Sequence, residues 1–160
     1  VSNAAEGTST GVDLNFSAAP WQFLMLSGGL QYLDAEYTDG DLAELNLDVP
    51  YAPTWSGNLS ATFLLPLADG VTYLRSDYSF MGDHFTNPTY QPDSVEQDKK
   101  LLNVRLGWRN DYWDAALWVR NATDEAYALL AAAPVAYSGT EAFFLEAPRT
   151  WGVTVRYSFF

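Results

Sequence analysis

The strongest constraint in this sequence is a period of two. Over Leu101–Arg109 the apolar set is Leu102, Val104, Leu106 and Trp108, and the intervening set is Asn103, Arg105, Gly107 and Arg109. Successive side chains of a β-strand point to opposite faces, so this alternation predicts a strand with one apolar and one polar face. The pattern recurs near the C-terminus, where Trp151, Val153, Val155, Tyr157 and Phe159 alternate with Thr150, Gly152, Thr154, Arg156 and Ser158. It is present again in Val12, Leu14 and Phe16, and in Leu59, Ala61, Phe63 and Leu65. Less regular examples span Phe23–Tyr37, Val71–Phe85 and Tyr112–Asn121, which makes seven predicted strands and no sustained helical period.

The connections carry a second signal. Ala19-Pro20-Trp21-Gln22, Ala68-Asp69-Gly70 and Asn110-Asp111-Tyr112 have turn chemistry. They alternate with three long connections, Thr38–Thr54, Thr86–Asp98 and Thr123–Pro148, the last with a possible helical turn over Asp124–Ala133. Strict alternation puts all short turns at one end of the sheet and all long loops at the other. An up-and-down meander does this, whereas a Greek-key sandwich mixes the two. Outer-membrane barrels have this layout.

Composition sharpens the choice. The polar faces carry Ser, Thr, Asn, Gly and Arg rather than the Lys and Glu of a solvent face, as an enclosed wet lumen requires; the only Lys are Lys99 and Lys100. Trp21, Phe23, Tyr112, Trp113, Tyr157 and Phe159 fall toward the short-turn end, and Tyr32, Tyr78, Phe80 and Trp151 toward the loop end. Two aromatic belts around an apolar band fit a membrane-spanning sheet in contact with outer-membrane lipid. A formal charge of −12 excludes a nucleic-acid partner. With no Cys and one His, thiolate metal sites and multi-histidine sites are excluded, and no cofactor is implied. No GxSxG, HExxH or phosphate-cradling glycine loop occurs, so the chain does not read as an enzyme. The first ten residues lack a basic and an apolar signal region and an initiator Met, so the chain reads as processed or as a piece of something longer.

Seven strands fall short of the closed barrels of bacteria, which begin at about eight. An open edge in lipid leaves backbone groups unpaired at several kcal/mol each. The expectation is therefore the last part of a larger barrel. The alternative is a small stand-alone outer-membrane barrel with a structural or adhesive role, its eighth strand in Ala142–Leu145 or at the N-terminus. A soluble β-sheet binding module is a third reading.

Three stretches resemble a known family. Val119-Arg120-Asn121-Ala122-Thr123-Asp124-Glu125-Ala126-Tyr127 is similar to the penultimate strand and Asn-Leu-x-Asp-x-x-Tyr exit of TonB-dependent outer-membrane receptors, with Ala122 in place of Leu. Ala147-Pro148-Arg149-Thr150-Trp151-Gly152-Val153 resembles the entry to their last strand, and Asn3-Ala4-Ala5-Glu6 with Gly11-Val12-Asp13-Leu14 resembles another barrel strand. The resemblance implies the C-terminal third of a roughly 22-stranded barrel with a plugged lumen in the outer membrane of a Gram-negative bacterium. It implies uptake of a ferric siderophore or other large chelate through the TonB complex, with residues 1–160 supplying wall, lumen face and loops. A plug domain and the TonB-contacting segment would belong to the N-terminal part of such a receptor. Trp151, Val153, Val155, Tyr157, Phe159 and Phe160 resemble the assembly signal read by the barrel-assembly machinery, with Phe160 one residue beyond the alternating frame.

Candidate ligand contacts at the loop end are Met81, Asp83, His84, Phe85, Trp118, Tyr90, Tyr137, Phe143 and Phe144, since aromatic loops can clasp a planar chelate. Packing of the loops on one another accounts for them equally. Arg75, Asp77, Arg105, Arg109, Asp114, Arg120 and Arg156 have lumen parity and form a candidate charge network. Arginine forks suit anions, though pairing across strands or with a plug is the plainer account. Asp34, Glu36, Asp39, Asp41, Glu44 and Asp48 offer carboxylates to a hard cation, but without EF-hand spacing they read as a solvated acidic loop.

Overall fold

A computed structural model describes residues 5–45, 47–86, 95–96, 98–132 and 142–159. In chain order the elements are β1 (Ala5–Trp21), β2 (Leu24–Gly40), α1 (Asp41–Glu44), β3 (Trp55–Leu67), β4 (Gly70–Met81), β5 (His84–Phe85), β6 (Val95–Glu96), β7 (Lys99–Arg109), β8 (Trp113–Arg120), β9 (Ala128–Ala132), β10 (Ala142–Leu145) and β11 (Thr150–Tyr157). The seven expected strands form one antiparallel sheet in the order β1-β2-β3-β4-β7-β8-β11. Short turns and long connections alternate between its two ends. The chain is all-β and antiparallel, as its patterning requires.

The register lines the apolar residues up on one face. Leu14 pairs with Leu30, Leu74 with Leu106, Leu106 with Leu117, and Leu117 with Val153. Among the described residues nothing covers this face: Val12, Leu14, Leu65, Leu117, Val153 and Val155 are all more than half exposed. Only Leu24, Ala116 and Tyr127 are buried among the apolar residues described. The surface is 11399 Å², against about 8,000 Å² for a compact folded monomer of this mass. The described residues therefore form no core of their own, and the stability of the sheet rests on the backbone ladder. Aromatic pairs mark both ends of the apolar band. Tyr32 lies 4.9 Å from Trp55 at the loop end, and Trp113 lies 4.6 Å from Tyr157 at the turn end.

Four details depart from the sequence reading. β1 and β2 run well past the alternating segments, pairing Thr8 with Glu36 and Ala5 with Gly40, because the hairpin ladder continues where neither face is apolar. The first turn lies at Gln22 and Phe23 rather than at Pro20. Pro20, which has no N–H to donate, sits in an irregularity between the pairs Ala18–Leu26 and Trp21–Leu24. The strand expected over Val71–Phe85 leaves the sheet after Met81, where Gly82 N donates to Trp55 O at 2.8 Å, and His84–Phe85 pairs separately with Val95–Glu96. Residues 128–132 are extended rather than helical, because β9 pairs with β10. β10, the candidate eighth strand, joins that ribbon and not the main sheet.

Glycines face aromatic rings across the ladder. Phe16 pairs with Gly28, Phe80 with Gly57, Tyr73 with Gly107 and Trp118 with Gly152, each ring lying over the place a Cβ would take. A methyl on Gly152 would stand 2.5 Å from Trp118 Cζ2. Covering a strand glycine with a cross-strand ring restores the packing the glycine lacks. Gly152→Ala is expected to destabilise the assembled protein by about 1–3 kcal/mol through overpacking, read from the denaturant midpoint. Adding Trp118→Leu should restore part of that loss, because the obstructing ring is gone.

Candidate functional site

The opposite face is polar and splits into two halves. On β1–β3 it carries uncharged amides and hydroxyls: Asn15, Ser17, Ser27, Gln31, Ser56, Asn58, Ser60 and Thr62, with Asp13 the single charge among them. On β4, β7, β8 and β11 it carries Arg75, Asp77, Arg105, Arg109, Asp114, Arg120 and Arg156. An acidic chain with six arginines thus places five of them on one half of one face.

Two carboxylates serve this group. Arg75 grips Asp77 two residues along its own strand, Nη2 to Oδ1 at 2.7 Å and Nε to Oδ2 at 2.8 Å, and Ser60 Oγ donates to Asp77 at 2.6 Å. Asp114 accepts from Tyr73 Oη at 3.0 Å and lies 3.8 Å from Arg105 Nη2. Arg105 Nε donates to the same Tyr73 hydroxyl at 3.0 Å. The Tyr73 ring lies over Gly107, with the Arg105 and Arg109 guanidinium carbons 6.0 and 5.8 Å from its centroid. Arg120 lies 5.1 Å from the Trp118 ring, whose indole N–H donates to Thr154 Oγ1 at 3.2 Å. Cation–π contact of this kind orients a guanidinium without neutralising it.

Two cavities open on the polar face. One of about 390 Å³ is bounded by Asp77, Asn103, Arg105, Trp118, Arg120 and Thr154. The other, about 340 Å³, lies on the uncharged half between Asp13, Asn15, Gln31, Ser56, Asn58 and Met81. A pocket bordered by two arginines and an amide-lined one whose single charge is Asp13 therefore share this face.

The exit from β8 is a separate construction. β8 stops pairing with β7 at Val104–Val119, which leaves the start of β7 paired with β4 on one side and without a strand on the other. The exit segment fills that place. Ala122 N donates to Leu102 O at 2.7 Å, and Asn121 N donates to Asn103 Oδ1 at 3.0 Å. The buried Tyr127 hydroxyl then donates to Lys100 O at 2.6 Å and accepts from Lys100 N at 2.7 Å. One phenol thus does for Lys100 what a neighbouring strand would do. Asn121 and Asp124 take positive φ (49° and 61°), which Asn and Asp tolerate. Asn121 is buried and holds the turn by donating to Glu125 O at 2.8 Å. Asp124 accepts from Arg149 N at 3.0 Å and pairs with its guanidinium at 3.2 Å, joining the β8 exit to the β11 entry. Lys99 pairs with Glu146 and lies 5.6 Å from the Tyr127 ring.

The β-barrel family described as TonB dependent receptor-like matches residues 1–122. The chain belongs to this family. It is a family of transport receptors rather than an enzyme class. The fold is similar to the ferric yersiniabactin uptake receptor FyuA from Yersinia pestis, with a TM-score of 0.86 and 21% identity over 99% of this chain and 24% of that one. It is also similar to BauA, the ferric preacinetobactin receptor from Acinetobacter baumannii (0.73, 21%, covering 96% and 22%). The ferric-catecholate import receptor Fiu from E. coli K12 compares at 0.73 and 18% identity, covering 96% and 21%. The chain thus spans about a quarter of the length of these receptors.

Within this TonB-dependent receptor barrel the expected ligand contacts do not form one cluster. Met81 borders the amide-lined cavity and Trp118 the cationic one. His84 Nδ1 lies 2.9 Å from Gly82 O, and the Phe85 carbonyl accepts from Tyr51 N at 2.8 Å, so both belong to the ribbon above the sheet. Asp83 links that ribbon to β4. Phe143 and Phe144 fall in β10. Tyr90, Tyr137 and Phe160 lie outside the described residues. Of the terminal set, Trp151, Val153, Val155 and Tyr157 share the exposed apolar face, and Phe159 stands 4.9 Å from Tyr157. Among the described residues no group of three or more His, Asp and Glu side chains is placed to hold a metal ion.

Tyr73, Asn103 and the β7-bonding function of Tyr127 were not singled out by the sequence. Tyr73 was readable in principle, since it shares parity with Arg75 and Asp77 on a face otherwise free of aromatic rings near the turns. Tyr127→Phe is expected to cost about 1–3 kcal/mol, because it leaves both backbone groups of Lys100 unpaired on that side. Hydrogen exchange at the Lys100 amide should accelerate while exchange at Leu106 stays unchanged.

Proposed function

We propose that this chain is the C-terminal portion of the wall of a receptor barrel of about 22 strands, in the outer membrane of a Gram-negative bacterium. In that setting the apolar face meets outer-membrane lipid, and the polar face lines a lumen closed by the plug domain of the same parent protein. The last strand carries the signal for the barrel-assembly machinery, and the TonB complex supplies energy through the N-terminal part. The cargo is a scarce nutrient of the ferric siderophore class. The observation that carries this reading is the likeness to FyuA over 99% of this chain and only 24% of the receptor.

Physical chemistry supports it from two sides. A sheet with an uncovered apolar face and no core is stable where the solvent on that face is itself apolar. Its edge strands β1 and β11 then need partners, which the remainder of a closed barrel supplies. The cationic cavity at Arg105, Trp118 and Arg120 suits an anionic, planar chelate, since an arginine fork donates two parallel hydrogen bonds and the indole offers a stacking surface.

Two measurements test the reading. A probe against this segment should detect a band several times 17.8 kDa in outer-membrane extracts. A heat-modifiable band at 17.8 kDa itself would sink it in favour of a small stand-alone barrel. Deleting the parent gene should abolish iron-limited growth on at least one supplied ferric siderophore while growth on ferrous iron is retained. Growth unchanged across a siderophore panel would overturn the proposed cargo.

A further inference from the structure

The connections after β2 and after β4 are joined to each other, largely through one residue. After β2 the chain returns along its own strand: Asp48 bridges Glu36, and Leu33 N donates to Thr54 O at 2.9 Å. Between these two points β2 has only Asp34 and Ala35, whereas the returning segment has Val49-Pro50-Tyr51-Ala52-Pro53. The longer side bulges out of the ladder, and its two prolines have no N–H with which to rejoin it. Tyr51, between them, takes a φ of 58°. A bulky residue keeps that left-handed conformation only where its surroundings hold it there.

The ribbon after β4 does the holding. Tyr51 N donates to Phe85 O at 2.8 Å, and the Tyr51 hydroxyl donates to the carbonyl of the buried Thr86, the next residue along. The base of the ribbon is fixed separately, where Gly82 N donates to Trp55 O at 2.8 Å. The two attachments differ in kind. The Gly82 bond simply extends the β3–β4 ladder one step past the pair Ser56–Met81. The Tyr51 grip is made from a strained backbone by a side chain that is more than half exposed.

We propose that Tyr51 is a catch and Gly82 a hinge. With the catch closed, the ribbon of His84–Phe85 and Val95–Glu96 lies against the connection after β2. When both Tyr51 bonds break, Tyr51 relaxes to negative φ and the ribbon swings outward about Gly82. Backbone strain opposes the two hydrogen bonds, which brings the two positions closer in free energy and makes the catch releasable. Met81, directly before the hinge, borders the amide-lined cavity, so the position of the ribbon controls entry to that cavity from the loop end. The catch needs no cargo and is independent of what the barrel carries.

The test is a distance measurement across the catch. The 160 residues contain no Cys, so Asp48→Cys and Asp83→Cys, both at exposed positions, place a pair of spin labels in the full-length receptor in outer-membrane vesicles. Any cysteine elsewhere in the receptor is replaced first. With Tyr51 present, one short distance should dominate the electron–electron resonance signal. Tyr51→Phe loses the hydroxyl bond alone and should raise the longer-distance population about fivefold. Tyr51→Pro also loses the N–H and cannot take positive φ, so the longer distance should dominate. The thermal midpoint of the barrel should stay unchanged in both, because the main ladder is untouched. Identical distance distributions in all three proteins would overturn the proposal and leave the ribbon fixed by Gly82 and Trp55 alone. Two comparable populations with Tyr51 intact would also overturn it, since nothing would then be held closed. A longer distance that comes with a lowered midpoint would overturn it in favour of general loosening. The same labels report on the catch whatever the size of the parent barrel, so these results leave the proposed function standing or falling by its own tests.

Discussion

From β2 to β8 every long strand is hydrogen-bonded on both sides, and this continuous backbone ladder takes the place that a buried core has in other folds. Three apolar residues are buried among those described, too few to hold 160 residues together by exclusion of water. The ladder sets the register, and the register sorts side chains into an apolar and a polar face. It also brings each cross-strand ring over its glycine. The same dependence explains the edges: β1 and β11 each leave one side of the ladder open, so the sheet is complete only when other strands take those positions.

The two faces obey different rules. On the apolar face the side chains are interchangeable in kind, and Leu, Val and the aromatic rings differ mainly in where along the strand they fall. On the polar face identity matters at each position. Arg75 and Asp77 close a pair within one strand, whereas Asp114 is contested across three strands. The division between an uncharged half and a cationic half follows strand by strand, so charge is graded around the curve of the wall rather than along its height.

Much of this was readable from the sequence. Alternation reports a strand wherever one face is apolar and the other polar, and it found all seven members of the sheet and the common face of Arg75, Asp77, Arg105, Arg109, Asp114, Arg120 and Arg156, whereas Asp34, Glu36 and Asp39, read as a loop, lie in β2. It failed where that contrast vanishes. Ala5–Thr10 and Asp34–Gly40 pair through their backbones, but neither face is apolar, so nothing in the residue types marks the extension. The break after Met81 and the ribbons β5–β6 and β9–β10 depend on contacts between segments distant in sequence. The Tyr127 bond to Lys100 was invisible for another reason. It exists only because β8 ends before β7 does, a difference in strand length that one sequence does not display.

That Tyr127 bond, with the Asp124–Arg149 pair, fastens the two ends of the third long connection to the sheet by their own anchors. Between them β9 and β10 pair with each other rather than with the main sheet, and Glu146 ties the returning end to Lys99. Such a connection is a cassette: residues between the anchors can be exchanged, shortened or lengthened while the strand it departs from keeps its hydrogen bonds. A barrel built this way can acquire a new exterior without renegotiating its frame.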